Sequence, residues 1–226
     1  CGILSQATIC PKIPLSYLMI LPNQKDIKEA VRALRLGQIV AFPTDTVYGL
    51  AVNPFIKKGV DKIFQIKGRS TNIALPLLLA NIEDIQIYAS NISNDVWKLV
   101  ERFLPGGLTI VLPKSENSPS HICGNRKNIA LRVPDHPVPR LLASELSLPI
   151  TGTSANLTGQ PACINADCVK NQFKTLVNVV IDGGTIRGTK SSTVIDASND
   201  SIKLIREGTI GKNAIEEVIG YKLESI

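Results

Sequence analysis

Between residues 23 and 42 the hydrophobic period of the chain changes abruptly. Ile27, Ala30, Val31 and Leu34 recur at i, i+3, i+4 and i+7, the spacing of one apolar helix face, and Gly37 follows as a stop. Residues 38–42 then run short and apolar until Pro43 ends them, as at the close of a buried strand. A helix that feeds directly into a strand restricts the chain to architectures mixing the two. The same alternation recurs downstream: residues 60–67, 93–103, 138–146 and 213–219 read as helices, while 75–79, 108–112, 129–133, 149–153, 177–182, 193–195 and 202–205 read as strands. The last strands follow one another without helices between them, so part of the pairing is antiparallel. The expectation is an α/β fold: a single-domain twisted mixed parallel/antiparallel sheet with flanking helices.

The 226 residues are 44% hydrophobic, enough to fill one core, and no repeat, low-complexity segment or linker divides them. Lys and Arg outnumber Asp and Glu by 25 to 19. That mild excess favours anionic partners, yet no run of five basic residues marks a dedicated nucleic-acid surface. Five cysteines without a CxxC pair, beside two histidines, supply no zinc-type ligand set. An odd cysteine count in a core-forming chain reads as reduced thiols in the cytosol, although Cys163 and Cys168 lie close enough in sequence to pair. Residues 1–18, with Pro11 and Pro14 and no long apolar run, show neither a signal peptide nor a membrane span. They are set apart as an uncertain N-terminal extension to a unit spanning 19–226.

Polar clusters interrupt the apolar strands or follow their ends. Thr44, Asp45 and Thr46 emerge where strand 38–42 closes, the end at which open α/β sheets bind ligands. Lys67-Gly68-Arg69-Ser70, Thr153-Ser154-Ala155-Asn156 and the stretch 183–192 complete the set. Hydroxyls, amides and cations of this kind suit a triphosphate and an amino acid, because each anionic oxygen needs a donor in place of water. Lys67 and Arg69 suit a phosphate clamp, or else a solvated basic helix end favoured by the helix dipole. The stretch 183–191 nearly spells a P-loop, but Thr189 separates Gly188 from Lys190 and an apolar strand, not a helix, follows. It reads as a turn between strands. His121 and His136 accompany no recognisable nucleophile, and Asp45, Asp182 and Asp196 read more readily as turn caps than as magnesium ligands.

Taken in order, Phe42-Pro43-Thr44-Asp45-Thr46-Val47-Tyr48-Gly49-Leu50, Ile63-Phe64-Gln65-Ile66-Lys67-Gly68-Arg69, Leu104-Pro105-Gly106-Gly107-Leu108-Thr109, Leu131-Arg132-Val133-Pro134, Thr153-Ser154-Ala155-Asn156, Ser192-Thr193-Val194-Ile195-Asp196 and Ile205-Arg206-Glu207-Gly208 resemble the YrdC family over residues 24–219. The resemblance implies a mixed sheet around a basic cavity. It also implies the activity of an L-threonylcarbamoyladenylate synthase, a nucleotidyltransferase joining L-threonine, bicarbonate and ATP, with Mg2+. The products are threonylcarbamoyl-AMP and pyrophosphate, for N6-threonylcarbamoyladenosine at position 37 of transfer RNAs reading codons that begin with A. Lys67 and Arg69 match the family's KxR motif and carry the expected catalytic and ATP-binding roles. Ser154 and Asn156 match its SxN motif and, with Arg206, are expected on ATP. Thr46, Arg132, Ser154 and Ser192 match positions expected on threonine or its carbamate.

The resemblance further implies a cytoplasmic protein, an affinity for double-stranded RNA or tRNA, and a downstream tRNA threonylcarbamoyl transferase complex as recipient. The likeness departs just after the KxR motif, where Ser70 replaces a usual proline and Ile73-Ala74 a common Lys-Pro or Asn-Pro pair, and at Leu78, where some members carry a histidine. Two other functions are weighed against the synthase. An RNA-binding module would suit the basic balance but lacks base-stacking aromatics, which make up 4% of the chain. A carbamoyl-adenylating activity, like that of the related domain in hydrogenase maturation proteins, would start from carbamoyl phosphate.

Overall fold

The computed structural model describes residues 23–68, 74–122, 126–188 and 190–225. The extension set apart at 1–18 therefore lies outside the described residues. Helix α1 (Gln24–Arg35) starts where the Asn23 side chain accepts the Asp26 N–H, and ends with Arg32 and Arg35 in the last turn, where the helix dipole favours cations. Its face of Ile27, Ala30, Val31 and Leu34 is buried, the larger three contributing about 1.5–3 kcal/mol each. Strand β1 (Val40–Phe42) follows, buried throughout. Val40 and Phe42 join the apolar cluster of α1, while Ala41 joins the larger cluster on the opposite face. This two-sided burial is why the strand reads as an unbroken apolar run.

The mixed sheet is divided in two. In the smaller, β1 pairs antiparallel with β2 (Gly49–Ala51) and parallel with β8 (Val179–Val180), and β7 (Thr153–Ser154) adds beyond β2. The larger holds β3 (Leu77–Leu78), β4 (Leu108–Pro113), β5 (Asn128–Arg132), β6 (Ile150–Thr151), β9 (Thr193–Asp196), β10 (Lys203–Arg206) and β11 (Glu224–Ser225) in the order β11-β10-β9-β4-β5-β3-β6. Between β6 and β7 stands Gly152, where the chain passes from the larger sheet to the smaller. Its N–H bonds the Pro76 carbonyl at 2.8 Å, and a Cβ there would lie 2.5–2.8 Å from three side-chain carbons of Leu78. A side chain at this junction would have to displace Leu78.

Helices α2 (Lys57–Lys67), α3 (Ile85–Tyr88), α4 (Asn94–Phe103), α5 (Pro137–Leu146), α6 (Ala166–Phe173) and α7 (Lys212–Ile219) flank the sheets, with α5 packed on α1 and α7 on α4. Residues 183–188 follow β8 and, beyond them, the chain enters β9 rather than a helix, so the near P-loop is a turn between strands. One expectation is corrected: Cys163 and Cys168 form a disulfide rather than remaining reduced. The physical reason is α6, which the sequence pattern does not reveal. Asn165 caps it by accepting the Cys168 N–H, and the chain folds back so that the two Cα atoms lie 5.4 Å apart, within bridging range.

Candidate active site

A cavity of about 290 Å3 is lined by residues of both sheets. One wall comes from the turn between β1 and β2. Thr44 Oγ1 accepts the N–H groups of Thr46 (3.1 Å) and Val47 (3.3 Å) and donates to the Val47 carbonyl (2.6 Å). With the Thr44 proton committed, the 3.0 Å contact between the two hydroxyls must be donated by Thr46. Thr46 Oγ1 in turn accepts from Arg132 at 3.3 Å. Arg132, at the end of β5, also donates through Nε to the Gly106 carbonyl at 2.9 Å and through Nη2 to Asp45 Oδ1 at 2.6 Å. The Arg132–Asp45 pair is 8% and 14% exposed. Among the described residues three of the five guanidinium donors are thus engaged.

The opposite wall is the face of the larger sheet, where Thr109, Val111, Ala130 and Val194 look into the cavity. Ser192, just before β9, has its hydroxyl 2.9 Å from that of Thr109, and its carbonyl accepts from Arg206 at 2.9 Å. The pairing of β10 with β9 shifts between Leu204 and Arg206, and this bulge turns both Ile205 and Arg206 toward the cavity. Burial and then the like charge of Arg132 lower the pKa of Arg206, so the two guanidiniums sense each other. Arg126 adds a third cation to the lining. Among the described residues no Asp or Glu lines the cavity, so its field favours anions.

Of the residues expected at the site, Thr46, Arg132, Ser154, Ser192 and Arg206 line the cavity together. Lys67 and Asn156 stand behind that lining. The Lys67 ammonium donates to the carbonyls of Ser154 (2.5 Å) and Asn156 (2.8 Å) and to Asn156 Oδ1 (3.2 Å). Arg69, Ser70 and Ile73 lie outside the described residues. The carboxylates weighed as magnesium ligands are committed elsewhere: Asp45 to Arg132, Asp182 to the Gly184 N–H, and Asp196 to the N–H and hydroxyl of Ser198. Among the described residues no group of three His, Cys, Asp or Glu gathers to hold a metal. The described side chains do not make a magnesium cage.

Several contributors escape a reading of motifs. Thr109 lies in a quoted segment, but its cross-sheet contact with Ser192 has no sequence signal. Ile205 reads as an ordinary strand residue until the bulge is seen. Tyr48 is buried, accepting the Gly183 N–H at 3.0 Å and donating to the Gly184 carbonyl at 2.9 Å, which ties the 183–188 turn to the cavity wall. Burial raises its pKa despite the Gly183 bond. His136 stands just before α5. It caps α5, its Nδ1 accepting the Val138 N–H at 3.2 Å, and burial lowers its pKa from 6.5 to about 4 against the opposing pull of Asp45.

Residues 32–208 match the Sua5/YciO/YrdC family profile, described as telomere recombination. A Pyrococcus abyssi protein named threonylcarbamoyl-AMP synthase is 39% identical over 86% of this chain and 57% of its own length. A Vibrio vulnificus protein of the same name is 33% identical over 81% of this chain and 98% of its own length. The crystal structure of P. abyssi Sua5 complexed with L-threonine superposes with a TM-score of 0.84 at 38% identity, covering 88% of this chain and 58% of that one. The chain thus spans somewhat more than half of its archaeal relative and nearly all of the Vibrio one. On the extent of these matches, the chain belongs to the Sua5/YciO/YrdC family.

Proposed function

We propose that the chain is an L-threonylcarbamoyladenylate synthase, forming threonylcarbamoyl-AMP and pyrophosphate from L-threonine, bicarbonate and ATP. The observation that carries the reading is the cavity itself: among its described residues it is lined by three arginines, with hydroxyls and no carboxylate, in a chain similar to proteins named for this reaction and to one crystallised with L-threonine. The threonine amine and bicarbonate combine with loss of water to a carbamate. A carbamate oxygen attacks the α-phosphorus of ATP, and the bond to the β-phosphate bridging oxygen breaks as pyrophosphate leaves with the electron pair. The nucleophile is already an anion, so no strong base is needed. The barrier lies in bringing two anions together, which makes positioning and charge neutralisation the main contributions.

In this reading Thr46, Arg132 and Ser192 hold the threonine carboxylate or its carbamate. Arg206 and Arg69 meet the nucleotide, and Lys67, Ser154 and Asn156 build the wall against which it lies. The product passes to adenosine 37 of tRNAs through a threonylcarbamoyl transferase complex, and the protein is cytoplasmic with an affinity for RNA. No described helix is long and apolar enough to cross a membrane.

Pyrophosphate release tests the proposal, with ATP, magnesium, bicarbonate and threonine each omitted in turn. Release that needs both threonine and bicarbonate is expected, falling about a hundredfold in Arg132→Ala or Arg206→Ala, as for loss of one charge-assisted contact of about 3 kcal/mol. Turnover supported by carbamoyl phosphate and indifferent to threonine would replace this reading with carbamoyl adenylation. No release from the folded protein would leave RNA binding as the activity to pursue.

A further inference from the structure

We propose that Lys67 is a positioning residue, which shapes the turn presenting Ser154 to the cavity and does not itself meet the phosphates of a nucleotide. The proposal rests on the reading of the cavity as an adenylating site. Lys67 is 4% exposed at the end of α2, where Gly68 closes the helix in a left-handed conformation. A lysine ammonium has three N–H groups. Those of Lys67 face three oxygens of one turn, the carbonyls of Ser154 and Asn156 and the Asn156 amide oxygen. The contrast with the arginines is one of donor count. Among the described residues Arg132 has three of its five donors engaged and Arg206 one, so the guanidiniums keep N–H groups for a ligand after holding these surroundings.

The turn and the helix end hold each other from both sides. Thr158 donates its N–H and hydroxyl to the Lys67 carbonyl at 3.2 and 2.6 Å. Ser154 Oγ donates to Asn156 Oδ1 at 2.7 Å, and Asn156 Nδ2 donates to the Gln160 carbonyl at 2.7 Å. The Asn156 side chain is therefore held inside the turn through both its oxygen and its nitrogen. Ser154, its proton spent on Asn156, turns lone pairs toward the cavity. It suits a donor on the ligand, such as a ribose hydroxyl or an amine, and not a phosphate oxygen. The charge of Lys67 matters in this arrangement because it orients three oxygens at once; a single neutral donor could not.

The test titrates adenosine, AMP and a non-hydrolysable ATP analogue onto the wild-type chain, Lys67→Met and Lys67→Arg by calorimetry at constant ionic strength, with circular dichroism to check folding. A positioning role weakens all three ligands by the same factor, on the order of tenfold, as for one lost hydrogen bond. Arginine, which keeps the charge but not the geometry, fails like methionine. A phosphate contact predicts the opposite: losses that grow from adenosine to the ATP analogue, with Lys67→Arg retaining most of the affinity. That pattern, or wild-type affinity in both variants, overturns the proposal. If the Lys67 variants do not fold, Asn156→Ala decides, since it breaks the same turn from its other side. A uniform loss supports the proposal, and no loss refutes it. A wild-type chain that binds none of the three ligands overturns the adenylating reading, and this proposal with it.

Discussion

Removing the guanidinium of Arg132 strands the Asp45 carboxylate in a place where water screens it poorly. The pair is 2.6 Å apart and its side chains are 8% and 14% exposed, so the interaction is closer to a buried ion pair than to a surface one. Breaking such a pair from one side costs about 3–5 kcal/mol, most of it the penalty of an uncompensated charge. Arg132→Leu also forfeits the bonds to the Gly106 carbonyl and to Thr46, so a loss of about 4 kcal/mol is expected. Adding Asp45→Asn removes the stranded charge, and the double variant should return to within about 2 kcal/mol of the wild type, because replacing both members of a buried pair is often nearly neutral. Urea denaturation of the four proteins at pH 7 and moderate salt gives the coupling energy directly. A coupling below about 0.5 kcal/mol would refute the argument, since it would mean that the two side chains are solvated independently and that Asp45 does not hold Arg132 in place.

The histidine at the start of α5 makes stability depend on pH. Its folded pKa of about 4 lies below its ordinary value of 6.5, so the unfolded chain binds the extra proton first as pH falls. Stability is full above about pH 6.5 and declines toward pH 4 by about 2–3 kcal/mol; His136→Asn, which keeps a capping side chain, should flatten that decline in denaturation curves, and parallel curves would contradict the assignment. Reducing the Cys163–Cys168 bridge, or Cys168→Ser, should cost about 2 kcal/mol for so short a loop and lower the melting temperature by about 4–8 °C. An unchanged melting temperature with reductant, alongside an unchanged mass, would show that the bridge does not form. Gly152→Ala drives a methyl into Leu78 and should destabilise by about 1–3 kcal/mol, with Leu78→Ala restoring part of the loss in the same urea assay.

How much of this could be read from the residues depended on whether the cause was local. The helix opening at Asn23 and the strand ending at Pro43 are set by periodicity and caps within a few positions, and both stand in the fold. Strand β2 was missed because three residues, Gly49-Leu50-Ala51, carry no period of their own and are ordered by neighbours on both sides. Helix α6 was missed because its apolar positions, Ala166, Val169 and Phe173, are too few to outweigh the polar residues between them. The division into two sheets turns on Gly152 meeting Leu78, residues 74 positions apart in the chain. Motif likeness gathered Thr46, Arg132, Ser154, Ser192 and Arg206, which do share one cavity. It does not reveal that Lys67 is turned into the Ser154–Asn156 turn, because a lysine in a motif has the same letter whether it faces a ligand or a carbonyl.

The arrangement of charge explains why such a site would favour the reacting state over either bound substrate. Arg132 and Arg206 are close enough for the charge of one, after burial, to depress the pKa of the other, so the cavity holds like charges together. Any anion that enters relieves this repulsion, and a second anion relieves it further. The greatest relief belongs to the arrangement with the most negative charge between them, which in the proposed reaction is the carbamate pressed against the triphosphate. Interactions that strengthen along the reaction path are the ones that accelerate it. Asp45 limits the effect on one side: by neutralising part of Arg132 it would, in the proposed reading, weaken the hold on a lone threonine carboxylate while leaving the guanidinium fixed in direction. Neutralising Asp45 should on this reasoning tighten the binding of threonine more than it speeds turnover, because it improves the ground state and the transition state alike.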